Sequence, residues 1–204
     1  MSDKTPEPVS TLAGRRIVVG MSGGIAAYKT ATLVSRLVQA GADVRVLMTE
    51  AATRFITPLT LQSLSGHPVL TSMWEHDDRP DSQHVGIARW AEVFVVAPCS
   101  ADMLAKLAAG LTPDVVSLAV SALPAQTPLL VAPAMNADMW ASPIVQRNLQ
   151  TLRDLLPNFH EVGPDEGWQA CRTQGSGRTA EAEAIRDAVV QHLHVSPRRH
   201  EGAK

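Results

Sequence analysis

The sequence predicts an α/β fold: a single domain built on a three-layer, doubly wound parallel sheet. Three observations carry this. Short β-branched apolar runs alternate with amphipathic stretches along the chain, the pattern of parallel strands joined by helical crossovers. Runs such as VFVVAP and LLVAP are apolar at every position, so both faces of those strands must be covered. The chain has 204 residues and is 45% hydrophobic, enough for one well-filled core.

The elements follow in order. RRIVVG (15–20) is a β-branched strand that runs into the turn residues Ser22, Gly23 and Gly24. From Ile25, apolar residues at Tyr28, Leu33, Leu37 and Ala40 recur near the helical period, and Gly41 stops the helix. DVRVLM (43–48) is the second strand. Thr57–Pro58 reads as an N-cap with a first-turn proline, opening a helix that Gly66 closes. PVL (68–70) is a candidate third strand, and WEHDDRPDSQ (74–83) is a polar loop. HVGIARWA then reads as a short helix and EVFVVAP (92–98) as a strand. SADMLAKLAAG (100–110) has a serine cap, an apolar stripe and a closing glycine. DVVSLAVSAL (114–123) is another apolar helix and PLLVAP (128–133) another strand. Ser142–Pro143 repeats the cap-and-proline signal for a helix through Leu156. FHEVGP (159–164) is the last expected strand; a flexible glycine-rich loop and a helix over about 180–193 complete the domain. The architecture is Rossmann- or flavodoxin-like over 14–194, with polar tails at 1–13 and 195–204 that lack the apolar surface to order themselves.

Several function classes fall away at once. A formal net charge of −2 recruits neither nucleic acid nor an acidic membrane. The N-terminus MSDKTPEPVS has no apolar signal core, and prolines at 98, 113, 124 and 133 break the apolar runs below spanning length. Two distant cysteines, Cys99 and Cys171, make a disulfide scaffold a poor reading and a reducing, cytoplasmic setting the expected one. No Cys/His/Asp spacing resembles a metal site.

Doubly wound sheets bind ligands beyond the carboxyl ends of their strands, which singles out three junctions. At MSGGIA (21–26), Gly23 and Gly24 allow close backbone approach, and the following helix offers free N–H groups and its positive dipole end to a phosphate. The spacing is neither G-x-G-x-x-G nor a Walker loop, and an ordinary tight turn explains it equally well. At APCSADM (97–103), Ser100 serves either as an N-cap or as a donor to a ligand, and Asp102 is an odd neighbour for an anion. At APAMNADM (132–139), Asn136 could simply cap a helix while Met135, Met139 and Trp140 pack. Away from the junctions, His84 opens a helix beside the polar loop. Cys171 lies in GWQACRTQGSGRT, where a thiol reads as a reagent, whereas Cys99 ends a buried strand and reads as inert.

Together these segments resemble the flavin-dependent cysteine decarboxylases. The matching stretches are SGGIAAYK (22–29), MTEAATRFITPLTLQSLSG (48–66), HVGIARWAEVFVVAP (84–98), APAMNADMW (132–140) and GWQACRTQGSGR (167–178), in that order, over residues 15 to about 190. The branch acting on phosphopantothenoylcysteine in coenzyme A biosynthesis is the nearest. The resemblance implies flavin mononucleotide (FMN) held by Gly23, Gly24 and Ile25, by Thr49, Glu50 and Ala51, by Ser100, Ala101, Asp102 and Met103, and by Ala134. It implies a homo-oligomer, a trimer or four trimers together, with flavin and substrate between subunits. It assigns His84 as catalytic base, Asn136 as the contact to the substrate carboxylate, and Cys171 as the acid that finishes the reaction on a closing loop. Trp168, Gln169 and Ala170 would line the substrate beside Cys171.

The implied chemistry suits these residue types. Loss of carbon dioxide from a cysteine carboxylate leaves a carbanion without a sink. A flavin supplies one by drawing two electrons from the thiol-bearing carbon–sulfur unit. The thioaldehyde so formed delocalises the charge and yields an enethiol, which reduced flavin and a proton from Cys171 would then saturate. His84 would take the proton in the oxidation step. A neutral Asn136 orients the carboxylate without the tight ground-state grip of an arginine. Two departures stand out: Asp102–Met103 occupies the place of a common Asn-Thr pair, and Arg172 that of a glycine, where it could meet the substrate phosphate or stiffen the loop. In many bacteria the decarboxylase is fused to the synthetase that makes its substrate; with the chain ending at Lys204, a separate synthetase is expected. The alternatives are a peptidyl-cysteine decarboxylase of the lantibiotic type, which has no need of the loop cysteine, and a non-catalytic FMN-binding regulator, whose expected acidic tail is absent. Flavin prenyltransferases rank lower, having no use for the Asn136 block together with a loop cysteine.

Overall fold

The computed structural model describes residues 12–74 and 83–195. Residues 1–11 and 196–204 of the expected tails, and most of the polar loop, fall outside these residues. Leu12, placed in the N-terminal tail by its sequence, is buried in the hydrophobic core, and its N–H donates to the Ala40 carbonyl at 3.0 Å. Five strands form the main sheet: β1 (Arg16–Met21), β2 (Asp43–Met48), β3 (Val93–Cys99), β4 (Leu129–Pro133) and β5 (Phe159–Glu161). All neighbours pair in parallel, in the order β2-β1-β3-β4-β5.

Side-chain alternation explains why the strands are apolar throughout. Ile17, Val19 and Met21 face one layer and Val18 the other; Val93 and Val95 face the first layer, Phe94 and Val96 the second. In β4, Leu130 and Ala132 face the first layer and Leu129 and Val131 the second. Every residue of β3 and β4 is buried. The first layer holds α1 (Ala27–Gln39), α2 (Glu50–Thr53), α3 (Pro58–Ser65) and α9 (Ala182–Val195). The second holds α4 (Gln83–Trp90), α5 (Ala101–Ala109), α6 (Val115–Ser121) and α8 (Pro143–Leu155). The expected α/β doubly wound fold is thus observed.

The details differ instructively. The segment at 68–70 contributes only a single bridge, Leu47 to Leu70, beside β2. Helix α1 starts two residues later than its apolar period suggests, because 23–26 are spent in turns at the strand end. Thr57 and Ser142 sit at N-cap positions ahead of first-turn prolines, yet neither hydroxyl caps its helix; Thr57 instead bonds Thr60 across 3.2 Å. The short helix α2 was not expected; Thr49 nucleates it by accepting from the N–H of Ala52.

The largest correction concerns the glycine-rich segment. It is an antiparallel hairpin of β6 (Asp165–Trp168) and β7 (Gln174–Arg178), not a loop. Its glycines let it lie flush on the chain after β4. A Cβ on Gly175 would meet the Ala137 Cβ at 2.8 Å, and one on Gly177, whose φ is +120°, would meet the Met135 carbonyl at 2.6 Å. The Met135 N–H donates to the Gly177 carbonyl at 2.9 Å.

Gly20 is a second place where only glycine fits. A Cβ there would stand 2.7 Å from Val116 and 3.1 Å from Phe94, where α6 crosses β1. Gly20→Ala is expected to destabilise the fold by about 1–3 kcal/mol through overpacking. A lowered denaturant midpoint with an unchanged slope would show it.

His160 on β5 stacks on His192 of α9 with ring centroids 3.9 Å apart. Burial lowers the proton affinity of both, and for His160 the charge on His192 lowers it further. Because the folded state binds these protons less readily than the unfolded one, the sites favour folding fully above a pH of about 6.5, and stability is lost as pH falls below it. Wild type should therefore lose more melting temperature than His192→Gln when thermal scans are moved from about pH 7.5 to about pH 5.5.

Candidate functional site

The strand order reverses between β1 and β3. From β1 the chain turns into α1 on one face, and from β3 it turns into α5 on the other. The gap left at their carboxyl ends is the expected ligand crevice of such sheets. Ser22 ties its walls together: its hydroxyl donates to the Pro98 carbonyl at 2.7 Å and accepts from the Ser100 N–H at 2.8 Å. Two adjoining cavities, of about 570 and 510 Å³, open here and share Gly23, Ser100, Ala101 and Met139.

The larger cavity collects Gly23, Gly24, Ile25, Ala134, Asn136, Trp168, Gln169, Ala170 and Cys171. The smaller one is lined by Thr49, Glu50, Ala51 and Asp102. Sequence reasoning therefore placed nearly all its candidates around one crevice. Two do not reach it. Met103 is fully buried in the second layer, because it lies on the face of α5 that packs against the sheet, and only its backbone N–H bonds Ser100. His84, in the first turn of α4, lines neither cavity of the single chain.

The polar groups are differently committed. Helix α5 is capped by Ser100 and α2 by Thr49. Helix α1 has no side-chain cap, and Gly24 beside its start has open space where a side chain would be. Its N-terminus is the junction where backbone N–H groups and the helix dipole meet an open cavity, a fit for an anion. Asn136 caps α7 (Ala137–Ala141): its Oδ1 accepts from the Met139 N–H at 2.8 Å. That bond fixes the orientation of the amide and leaves the NH2 group as a donor on the cavity wall. Ile25, Met139 and Trp168 are 62%, 43% and 67% exposed and give the larger cavity apolar walls suited to a flat ring.

Asp102 is less odd in place than in sequence. Its carboxylate lies 2.6 Å from the Lys106 ammonium, which also meets Asp114 at 3.2 Å. Burial works to lower the Lys106 proton affinity; its hydrogen bonds to Asp102 and Asp114 outweigh that and hold it above the usual lysine value. The pair spacing i, i+4 was readable, but Asp114 joins only through the fold. Lys29 was also missed, although it stands in SGGIAAYK. It is nearly buried, and its ammonium holds Glu181 at 2.9 Å and the Thr179 carbonyl at 3.2 Å, fastening the end of the hairpin to α1. Glu181, bonded by Lys29 and beside Arg178, is held below the usual carboxylate range.

The two thiols separate as expected. Cys99 is fully buried, and burial, with the Asp102 charge in addition, pushes its thiol far above the ordinary range. Cys171 is exposed at the hairpin tip. Around it the Gln169 N–H donates to the Thr173 carbonyl and the Arg172 N–H to the Gln169 carbonyl, closing a tight turn. Arg172 has φ +67°, the left-handed region, and among the described residues it is the sole non-glycine there. Glycine is favoured where a type I hairpin turn ends in this conformation.

A family model described as Flavoprotein matches residues 6–194. The coenzyme A biosynthesis bifunctional protein CoaBC of Escherichia coli (strain K12) is 47% identical over 185 residues, 90% of this chain and 44% of that protein. Its namesake in Bacillus subtilis (strain 168) is 41% identical over 182 residues, 89% and 44% respectively. The chain thus spans less than half the length of these curated relatives. Among solved structures, a PPC decarboxylase mutant complexed with pantothenoylaminoethenethiol superposes with a TM-score of 0.78 at 30% identity, covering 89% of this chain and 99% of that one. The FMN-dependent cysteine decarboxylase SpaF does so with 0.76 at 28%, covering 90% and 97%.

The strained turn can be tested alone. Arg172→Gly removes the left-handed penalty of a side chain and should stabilise the protein by about 1 kcal/mol, read from denaturant unfolding.

Proposed function

The chain belongs to the flavoprotein family, and on that premise we propose that it is an FMN-dependent decarboxylase that converts phosphopantothenoylcysteine to 4'-phosphopantetheine in coenzyme A biosynthesis. The observation that carries this is the convergence of the Asn136 amide and the Cys171 thiol on one cavity that also contains the uncapped start of α1. A carboxylate-orienting donor, an exposed thiol and an anion-binding helix end are the parts that flavin-assisted removal of a cysteine carboxyl group needs.

The residues present fit the cofactor. Gly24 and the α1 N-terminus would receive the FMN phosphate. Ile25 and Met139 would flank the ring system. When bound, the flavin would supply a reversible two-electron sink for the carbon–sulfur unit. The Asn136 NH2 would hold the substrate carboxylate, oriented because Oδ1 is pinned to the Met139 N–H. Its neutrality avoids stabilising a charge that must vanish in the transition state. Cys171, at the tip of the hairpin over the cavity, would deliver the proton that completes the saturated product.

His84 would act as base from a second copy of the chain, within the trimer or larger homo-oligomer that the resemblance implies. The uncovered apolar rim of the cavity, with Ile25 and Tyr28 each 62% exposed, supports a partner surface there. No helix among the described residues is long and apolar enough to cross a membrane.

Incubation with phosphopantothenoylcysteine should give the saturated product by mass, and Cys171→Ser should stall at a species two hydrogens lighter. Asn136→Asp should keep the α7 cap, and hence the melting temperature, while losing decarboxylation by more than about a hundredfold, through a full charge facing the carboxylate. A protein that turns over only a peptide ending in cysteine would be a peptidyl-cysteine decarboxylase instead, and one that binds FMN without turnover would be a regulator.

A further inference from the structure

Gln169 is only 6% exposed, and all the polar atoms of its amide are engaged. Its Oε1 accepts from the Ala137 N–H at 3.0 Å, and its Nε2 donates to the carbonyls of Gly175 at 3.3 Å and Ser176 at 2.9 Å. These three backbone partners fix the amide's orientation. The opposite one would set its carbonyl against two carbonyls and its NH2 against an N–H.

The second lone pair of Oε1 faces the hairpin turn. Thr173 Oγ1 lies 3.4 Å away and Cys171 Sγ 3.6 Å away. Thr173 Oγ1 and Cys171 Sγ are themselves 2.9 Å apart, close enough to bond in either direction. The fixed Oε1 can only accept, and it stands within reach of both protons. With the Thr173 hydroxyl proton turned toward it, what Thr173 offers the sulfur is a lone pair.

We propose that Gln169 and Thr173 are positioning residues that order a one-way hydrogen-bond chain, from the Cys171 S–H to Thr173 Oγ1 and from the Thr173 O–H to Gln169 Oε1. The chain holds the thiol in one orientation at the hairpin tip. This rests on the reading of Cys171 as the acid that closes the reaction. It also gives Gln169 a role other than substrate contact: the same amide joins the start of α7, next to Asn136, to the turn that carries Cys171.

Alkylation of the purified flavoprotein by iodoacetamide, followed by mass, tests the direction of the chain. The reaction consumes thiolate, and the buried Cys99 does not compete. Removing an acceptor from the S–H should speed alkylation, whereas removing a donor to sulfur would slow it. Thr173→Val is expected to react about two- to threefold faster than wild type, and Thr173→Ser, which restores the hydroxyl, at the wild-type rate. Gln169→Leu should also react faster, because the freed Thr173 hydroxyl can turn to the sulfur. Thr173 is exposed, so its variants do not disturb the core. Thr173→Val reacting no faster than Thr173→Ser overturns the proposal.

The same preparations given phosphopantothenoylcysteine separate the two readings. Thr173→Val should accumulate the species two hydrogens lighter and Thr173→Ser should not. Faster alkylation with an unchanged product ratio upholds the ordered chain and removes Cys171 from the acid role. A changed product ratio without faster alkylation overturns the chain.

Discussion

The reversal of strand order between β1 and β3 is the constraint from which the rest follows. Parallel strands need crossovers, and here the crossovers leave neighbouring strands toward opposite layers. No helix can then cover the carboxyl ends of both strands, so a crevice is unavoidable. The Ser22 hydroxyl, 2% exposed, spans it by bonding both ends of the Pro98–Ser100 segment. Across it, the start of α5 is capped by Ser100, whereas the start of α1 has no side-chain cap.

Glycine placement decides the other wall. The hairpin formed by β6 and β7 lies on the chain after β4 at a separation that a single methyl group would disturb. Close approach lets the Met135 N–H reach Gly177 and the Ala137 N–H reach Gln169, which joins the Asn136 block to the cysteine turn as one unit. Lys29 fastens the far end of that unit to α1. This wall of the cavity is therefore held through backbone contacts, with few apolar residues of its own.

Charges near the crevice are paired rather than bare. Asp102 and Asp114 share the single ammonium of Lys106, and Glu181 meets both Lys29 and Arg178. Two cations against one carboxylate thus stand at the larger cavity, on the side of the uncapped α1 terminus.

The sequence by itself determined the layer architecture, because two-sided burial leaves an unbroken apolar record in β3 and β4, and helix ends carry glycine and serine signals that depend on a few adjacent residues. It also determined the crevice residues at the strand ends and the contrast between Cys99 and Cys171. Only the tertiary structure decided that the glycine-rich segment is a hairpin, since its partner surface at Met135–Ala137 lies some forty residues away and leaves no local period. It alone turned Gln169 inward, moved Met103 into the core, brought Asp114 to Lys106, and kept His84 away from the cavity of a single chain. The physical reason is common to all four. Period and propensity act over a few residues, whereas the direction of a side chain and the partner of a charge are set by surfaces that only folding brings together.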